Sequence, residues 1–591
     1  MTSVLILVAL FLQFFLVTPV LAQQKTEIAF QGKLTIVHKD NFPQRLSGFE
    51  YIVEDQKQKY YLLKFIDSAP QNLKSGSQVT VKGAVEGSTM TLSSKDISAE
   101  SIPKSAIFAA PITGPQNLAV ILINFQDYTS QPLSVGQIQN LVFDGSDSVN
   151  SYYKENSYNI ASLSGTIFNW LTLPIDRASS PNCQDFRLWS NTAKNLLQEQ
   201  GVSLTNFSRF IYVFPFVDGC NSTGGIGTVV DNPSESRIFT VGNRGYYAHE
   251  LGHNFGVNHA NALLCGNLQI NNYSSCTSYE YADLADVMGV SLLHHFNAPH
   301  KSMVGWLPES QIINVNSSGN YTISALESNT QSPLALRINK PNTSDFYFVE
   351  YRLPIGFDAN MPFGLLNGAS IRIGDTNNPF KQTQLIDVTV QSKEGLYDAI
   401  LNDGVVFNDG LNQISIKQLR HDSSSVTLEV QLSPKRVFIT STKYTGNLGG
   451  LSGADNKCQG RATSTGLGGT WKAWLSDGVT SVLSRQSQST GSYRLMNGIT
   501  VANNWKDLTD GTLTKSININ ELGSWVPSAD GIVWTNTTAS GTRASTTSHC
   551  SNWTSIEGLG FYGVSGITYS AWTKGRNSNC SNAHRLYCFE Q

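Results

Sequence analysis

Charge is scarce in this chain. Lys, Arg, Asp and Glu make up 14% of its 591 residues, the two signs nearly cancel to a formal −3, and no stretch gathers Lys or Arg into a stripe. The electrostatic footprint of nucleic-acid binding is therefore missing, and that partner is set aside. The eight cysteines contain no C-x-x-C pair, which excludes a zinc knuckle or a dithiol redox motif. After the N-terminal apolar run no segment approaches a membrane span in length, and no cysteine follows that run to carry a lipid.

What is present points outside the cell. Residues Val4 to Val17 are apolar and lead to Val20-Leu21-Ala22, the pattern of a secretory signal (1–22) cut after Ala22. The n-region lacks Lys and Arg, and the competing reading is an uncleaved anchor. A surface rich in Ser, Thr, Asn and Gly suits the extracellular space. The cysteines fall in groups: Cys183 and Cys220, Cys265 and Cys276, then Cys458, Cys550, Cys580 and Cys588. In a secreted chain all eight read as disulfide staples.

The length exceeds one hydrophobic core, and roughly one domain per 150 residues suggests about four. Residues 23–105 alternate apolar and polar between glycines, as in Gln78-Val-Thr-Val-Lys82, which predicts a small β-barrel of the OB type and a candidate pro-domain. The Pro- and Ala-rich stretch from Ile102 to Pro115 reads as a linker. Within 111–307, the apolar runs Leu118–Phe125 and Phe210–Phe216 alternate with helical stretches near 134–143, 147–156 and 186–200, which predicts an α/β catalytic domain. Residues 308–434 return to short alternating strands and predict a β-sandwich. Residues 437–591 shift to Gly, Ser, Thr and Trp with four cysteines, a separate disulfide-bonded module. The whole is a multidomain α+β chain.

The segment that carries chemistry is His249-Glu250-Leu-Gly-His253-Asn-Phe-Gly256-Val-Asn-His259. On a helix, His249 and His253 stand one turn apart on one face and can share a zinc ion at about 2.0–2.1 Å. Glu250 projects beside them as the general base. Gly256 lets the chain leave the helix at positive φ, which returns His259 as third ligand. Three protein ligands leave one tetrahedral position for water, as a catalytic zinc site requires. A structural site would close that position, and Cys265 is the nearest candidate to do so. His294, His295 and His300 lack carboxylates at matched spacing and read as surface or wall residues rather than a second metal site.

The H-E-x-x-H-x-x-G-x-x-H string resembles the metzincin zinc metallopeptidases, a resemblance that implies a two-lobed fold with a cleft across the metal. Asp286-Val-Met288-Gly289 would supply the methionine turn, with Met288 as the floor under the histidines. Together with Glu280-Tyr281-Ala-Asp-Leu-Ala-Asp-Val-Met-Gly289 and His300-Lys-Ser-Met-Val-Gly-Trp306, residues 110–310 look like the gametolysin (autolysin) family. The resemblance implies metalloendopeptidase activity on extracellular or cell-surface proteins. Val290 stands where some metzincins carry a tyrosine, so the oxyanion-stabilising group is open. Thiol-based latency needs a cysteine in the pro-segment, and none precedes Cys183.

The run Val437-Phe-Ile-Thr-Ser-Thr-Lys-Tyr-Thr-Gly-Asn-Leu-Gly-Gly450, with Gly469-Thr-Trp-Lys-Ala-Trp-Leu-Ser476, resembles a module of secreted bacterial proteins similar to the endostatin and C-type-lectin folds. The resemblance implies pairing of Cys458 with Cys588 and of Cys550 with Cys580. Aromatics and polar loops would suit a glycan or matrix ligand for surface targeting, the competing reading being that the tryptophans are core residues. The competing functional reading is an adhesin whose metallopeptidase fold is an inactive scaffold.

Overall fold

The computed structural model describes residues 26–70, 73–99, 111–177, 186–215, 224–239, 242–340, 343–375 and 381–591. The expected signal segment 1–22, Cys183 and Cys220 lie outside the described residues. Among the described residues, no helix is long and apolar enough to cross a membrane. The protein is multidomain and mostly β. Its contacts divide it into two compact units: Met1–Val37 with Phe49–Pro103, and His38–Gly48 with Lys104–Gln591.

The first unit is built from strands β1 (Thr26–Asn41), β2 (Leu46–Asp55), β3 (Tyr60–Phe65), β4 (Gln78–Glu86), β5 (Thr89–Leu92) and β6 (Ile97–Ala99). Strict alternation drives it: along β4, Val79 and Val81 point inward while their neighbours face water. The strand order β6-β4-β5-β3-β2-β1, with β4 also paired to β1, closes the run of pairings on itself. The turn between β1 and β2, residues 38–48, belongs to the second unit.

The second unit opens with β7 (Gly114–Phe125), buried from Leu118 to Phe125 and therefore an unbroken apolar run rather than an alternating one. It pairs in parallel with β8 (Ala161–Leu173) and β9 (Arg209–Val213). β11 (Ser234–Ile238) is parallel to β9, and β10 (Gly225–Thr228) is antiparallel to β11. Four helices accompany these strands: α1 (Val135–Gln139), α2 (Val149–Asn156), α3 (Phe186–Glu199) and α4 (Arg244–Phe255). Tyr247, Leu251 and Phe255 of α4 enter the same core as Val120, Tyr153 and Trp306. With nearly every residue of α4 buried, packing rather than helix propensity holds it in place.

Downstream, β12 (Ala260–Leu264) and β13 (Thr277–Tyr279) are followed by α5 (Val287–Val290) and α6 (Ala298–Met303). Nine further strands then run β14 (Ile312–Asn314), β15 (Gly319–Ser324), β16 (Ala335–Asn339), β17 (Phe346–Tyr351), β18 (Ala369–Gly374), β19 (Thr383–Ile386), β20 (Val406–Asp409), β21 (Ile414–His421) and β22 (Ser425–Leu432). They form a seven-stranded sheet, β13-β12-β19-β18-β17-β16-β14, and a four-stranded one, β15-β22-β21-β20. Leu263, Ile323, Leu336, Tyr347, Ile416 and Val430 share the core between them. The sheet boundary thus does not fall at 307–308. β12 leaves His259 and pairs in parallel with β19, Ala260 opposite Thr383, a long-range choice that local pattern does not encode. A Cys265–Cys276 disulfide ties β12 to the approach of β13, so Cys265 is not a metal ligand.

The C-terminal module carries a helix over Gly450–Ser464, a five-stranded sheet and a three-stranded one. Its first and last strands are neighbours, Val437 opposite Phe589. Disulfides join Cys458 to Cys588 and Cys550 to Cys580.

Candidate active site

Helix α4 begins at Asn243, whose side-chain oxygen accepts the Gly245 N–H at 2.9 Å, a cap contributing about 1 kcal/mol. It ends at Gly256, at φ 102° and ψ 22°, a conformation that favours glycine. The chain turns there and brings His259 back beside the helix. The Nε2 atoms of His249 and His259 lie 3.3 Å apart, and all three imidazoles are buried.

The far side of each ring is anchored. His249 Nδ1 donates to Val287 O at 2.9 Å, His253 Nδ1 donates to Val257 O at 3.0 Å, and His259 Nδ1 donates to Glu280. Carbonyl and carboxylate oxygens accept, so these bonds place a proton on each Nδ1, and the Nε2 atoms of His249 and His259 face each other. His38, Asp40, His253 and His259 bring ligand atoms within 4.8 Å of one another, a group that could hold a metal ion. A tetrahedral ion with bonds of about 2.0–2.1 Å has ligand–ligand edges of about 3.3 Å, which matches the His249–His259 separation. The residues present therefore fit a metal of the zinc type.

The floor of the site is built by the turn before α5. Asp286 accepts the Met288 N–H at 2.7 Å, the Asn297 N–H at 2.7 Å and the His300 Nδ1–H at 2.9 Å. A Cβ on Gly252 would come within 2.5 Å of Met288 Sδ, so glycine between the two helical histidines is what lets the sulfur approach. His294, His295 and His300 prove to be buried rather than surface residues. His300 is 2.9 Å from Asp286, His295 is 3.0 Å from Glu155, and His294 is 3.7 Å from Asp358. Asp286 is local to His300, whereas Glu155 and Asp358 arrive from distant elements.

Glu250 is fully buried against β10. Cβ atoms on Gly225 and Gly227 would fall 2.0 Å from its Oε1 and 2.9 Å from its Oε2. Neither carboxyl oxygen has a well-formed hydrogen bond. Burial pushes its pKa well up, and the nearby Asp40 carboxylate pushes it further. A raised pKa suits a group that takes up a proton and then returns it.

Sequence reasoning missed four groups here. Asp40, from the 38–48 turn, places Oδ1 2.7 Å from His259 Nε2 and 3.8 Å from His249 Nε2, with Oδ2 3.2 Å from His253 Nε2. The last two atoms are off the axis of a hydrogen bond, and neither finds another partner. His38 Nδ1 lies 3.0 Å from Asp40 Oδ1, and the His38 ring packs 4.4 Å from that of His253. Burial opposes ionisation of Asp40, yet His38, His259 and His253 hold its pKa well below the usual range.

The other two missed groups adjoin the third histidine. Glu280 is fixed by Asn261 at 3.1 Å, Gln382 at 3.0 Å and Ser47 at 2.8 Å. Burial works against both charges of the Glu280–His259 pair. Nevertheless Asp40 and Glu280 push His259 up to about 9, and His259 with its neighbours holds Glu280 down to about 2. Tyr281 adopts φ 55°, its ring lies 4.3 Å from that of His259, and its hydroxyl donates to Asp40 Oδ1 at 2.7 Å. Glu280 and Tyr281 sit in a string already singled out, but no spacing rule assigns them to the site. Asp40 leaves no signal near the zinc helix.

Three buried imidazoles gathered beside a carboxylate of the same helix are a donor set that suits a metal-dependent hydrolase. Comparison with known proteins makes this particular. Residues 116–344 match the family model described as gametolysin peptidase M11, and residues 436–591 match the one described as collagenase NC10 and endostatin. Residues 116–344 are thus similar to gametolysin metallopeptidases, and the C-terminal module is similar to endostatin. No curated protein matches it. Among solved structures, the catalytically inactive OgpA of Akkermansia muciniphila in complex with an O-glycopeptide substrate aligns at 9% identity and TM-score 0.21, over 47% of this chain and 94% of that one. So slight a likeness has no bearing on fold or substrate.

Proposed function

We propose that this protein is a secreted zinc-dependent endopeptidase of the metzincin type that cleaves extracellular or cell-surface proteins. The observation that carries the reading is the gathering of the buried His249, His253 and His259 rings, each anchored through Nδ1, next to a buried, proton-seeking Glu250. When bound, the metal supplies Lewis-acid polarisation of the scissile carbonyl and makes water more acidic. Glu250 takes the proton of the attacking water and passes it to the leaving amine. The Tyr281 hydroxyl, placed to donate into the same space, steadies the developing oxyanion; it fills the role left open by Val290.

The closed pairing of β1 to β5 supports reading residues 23–105 as a small OB-like barrel. For residues 437–591 we assign surface or matrix targeting. Trp471, Trp474, Trp534, Trp553 and Trp572 are core residues, whereas Trp525 is 63% exposed and available to stack on a ligand. Replacing Glu250 with Ala should leave zinc bound, measured by metal content, and abolish hydrolysis of a denatured protein. Undiminished hydrolysis would refute the assignment.

A further inference from the structure

The end of β1 turns inward, although residues 43–48 that follow it are exposed. It buries the His38 and Asp40 side chains in the second unit, and its backbone is held there: Gly224 N–H donates to Asp40 O at 2.7 Å. Gly224 directly precedes β10, so residue 40 lies along the strand that flanks Glu250. Asp40 then stands among the three Nε2 atoms, and the Tyr281 hydroxyl donates to it.

Two residues on, Phe42 stacks on Tyr246 at 4.4 Å and 13°, meets His249 edge-on at 4.8 Å, and lies 5.3 Å from Tyr281. A Cβ on Gly224 would come within 2.1 Å of its ring. The slot is therefore shaped for a flat ring and for nothing between ring and strand. Ser47, at the far end of the turn, donates to Glu280, the carboxylate that orients His259.

We propose that His38–Gly48 is a built-in substrate mimic: Asp40 is the fourth ligand of the metal in the full-length protein, and Phe42 fills the subsite that selects an aromatic side chain in the substrate. This rests on the peptidase reading of the same centre. Asp40 offers a carboxylate where the reading needs the scissile carbonyl and water, and the two cannot share that space. The full-length chain is latent until the turn is displaced. Latency here needs no thiol, which accounts for a chain without cysteine before Cys183. The aromatic slot, lined by Tyr246, Tyr281 and the bare Gly224, is the specificity element left behind.

The test compares full-length wild type, Asp40→Ala and the volume-conserving Asp40→Asn, all loaded with zinc. The first readout is independent of activity: acetohydroxamate, a small metal chelator that needs a free coordination position, is titrated calorimetrically. Both variants should bind it at least tenfold more tightly than wild type. Denatured protein should be cut at least tenfold faster by Asp40→Ala, with Phe, Tyr or Trp enriched at one position beside the cut. An acetylated and amidated peptide of residues 38–48 should inhibit Asp40→Ala, and lose tenfold or more in potency when its Asp or its Phe is replaced by Ala.

Equal hydroxamate affinity and equal hydrolysis across the three proteins overturn the mimic while leaving the peptidase standing. Tighter hydroxamate binding in the variants without any hydrolysis supports Asp40 as ligand and sinks the peptidase reading instead. Cleavage with no aromatic preference overturns the assignment of the Phe42 slot.

Discussion

Gly225→Ala tests whether β10 positions Glu250. The added Cβ would sit 2.0 Å from Glu250 Oε1, 2.4 Å from Cδ and 2.6 Å from Cγ, against about 3.4 Å or more for ordinary contact. The carboxylate must retreat by roughly 1 Å, or the strand must bow outward by as much. Misplacing a catalytic group by about 1 Å costs on the order of 100-fold, and losing a general base costs about 100- to 10,000-fold. None of the three imidazole anchors involves Gly225, so metal content should not change. The assay is kcat on a denatured protein in the Asp40→Ala background, with zinc stoichiometry measured in parallel. We expect kcat to fall at least 100-fold with one zinc retained. Wild-type kcat would show that Glu250 does not need its seat on β10, and loss of zinc would show that the damage reached the ligands.

Two further outcomes follow from groups around the site. Glu280→Gln keeps the shape but removes the charge that orients His259; zinc affinity should fall about 10- to 100-fold, read by competition with a chromophoric chelator. Glu235 is partly buried, which opposes its charge, but Arg237 and Lys194 hold its pKa down to about 2 from 4.5. A depressed carboxyl stabilises the fold fully above about 4.5 and loses that contribution as pH falls toward about 2. Urea midpoints for wild type should therefore drop across this window, and those of Glu235→Gln should drop less; parallel curves would contradict the assignment.

The helix that carries the histidines was legible because its pattern is local. Spacings of four and six, a glycine that must turn at positive φ and a methionine below are all properties of one stretch of chain, and the structure places His249, His253, His259, Gly256 and Met288 together. What escaped was set by tertiary contact. Asp40 reaches Tyr281 across 241 residues, and no periodicity in a β-hairpin announces which side chains its tip will meet. The sheet that begins at β12 was likewise invisible, since Ala260 finds Thr383 only once both are folded. Cysteine grouping located Cys265 beside Cys276, whereas the partners of His294 and His295 are carboxylates far along the chain, Asp358 and Glu155.

The position of residues 38–48 ahead of the zinc helix has a consequence in time. Gly48 is translated 201 residues (249 − 48) before His249, which at usual elongation rates is roughly 10–40 s. The stopper exists before the machinery it stops. A newly made molecule can thus be closed from the moment its metal site forms, and whichever cell produces the enzyme is spared from it without needing a separate inhibitor.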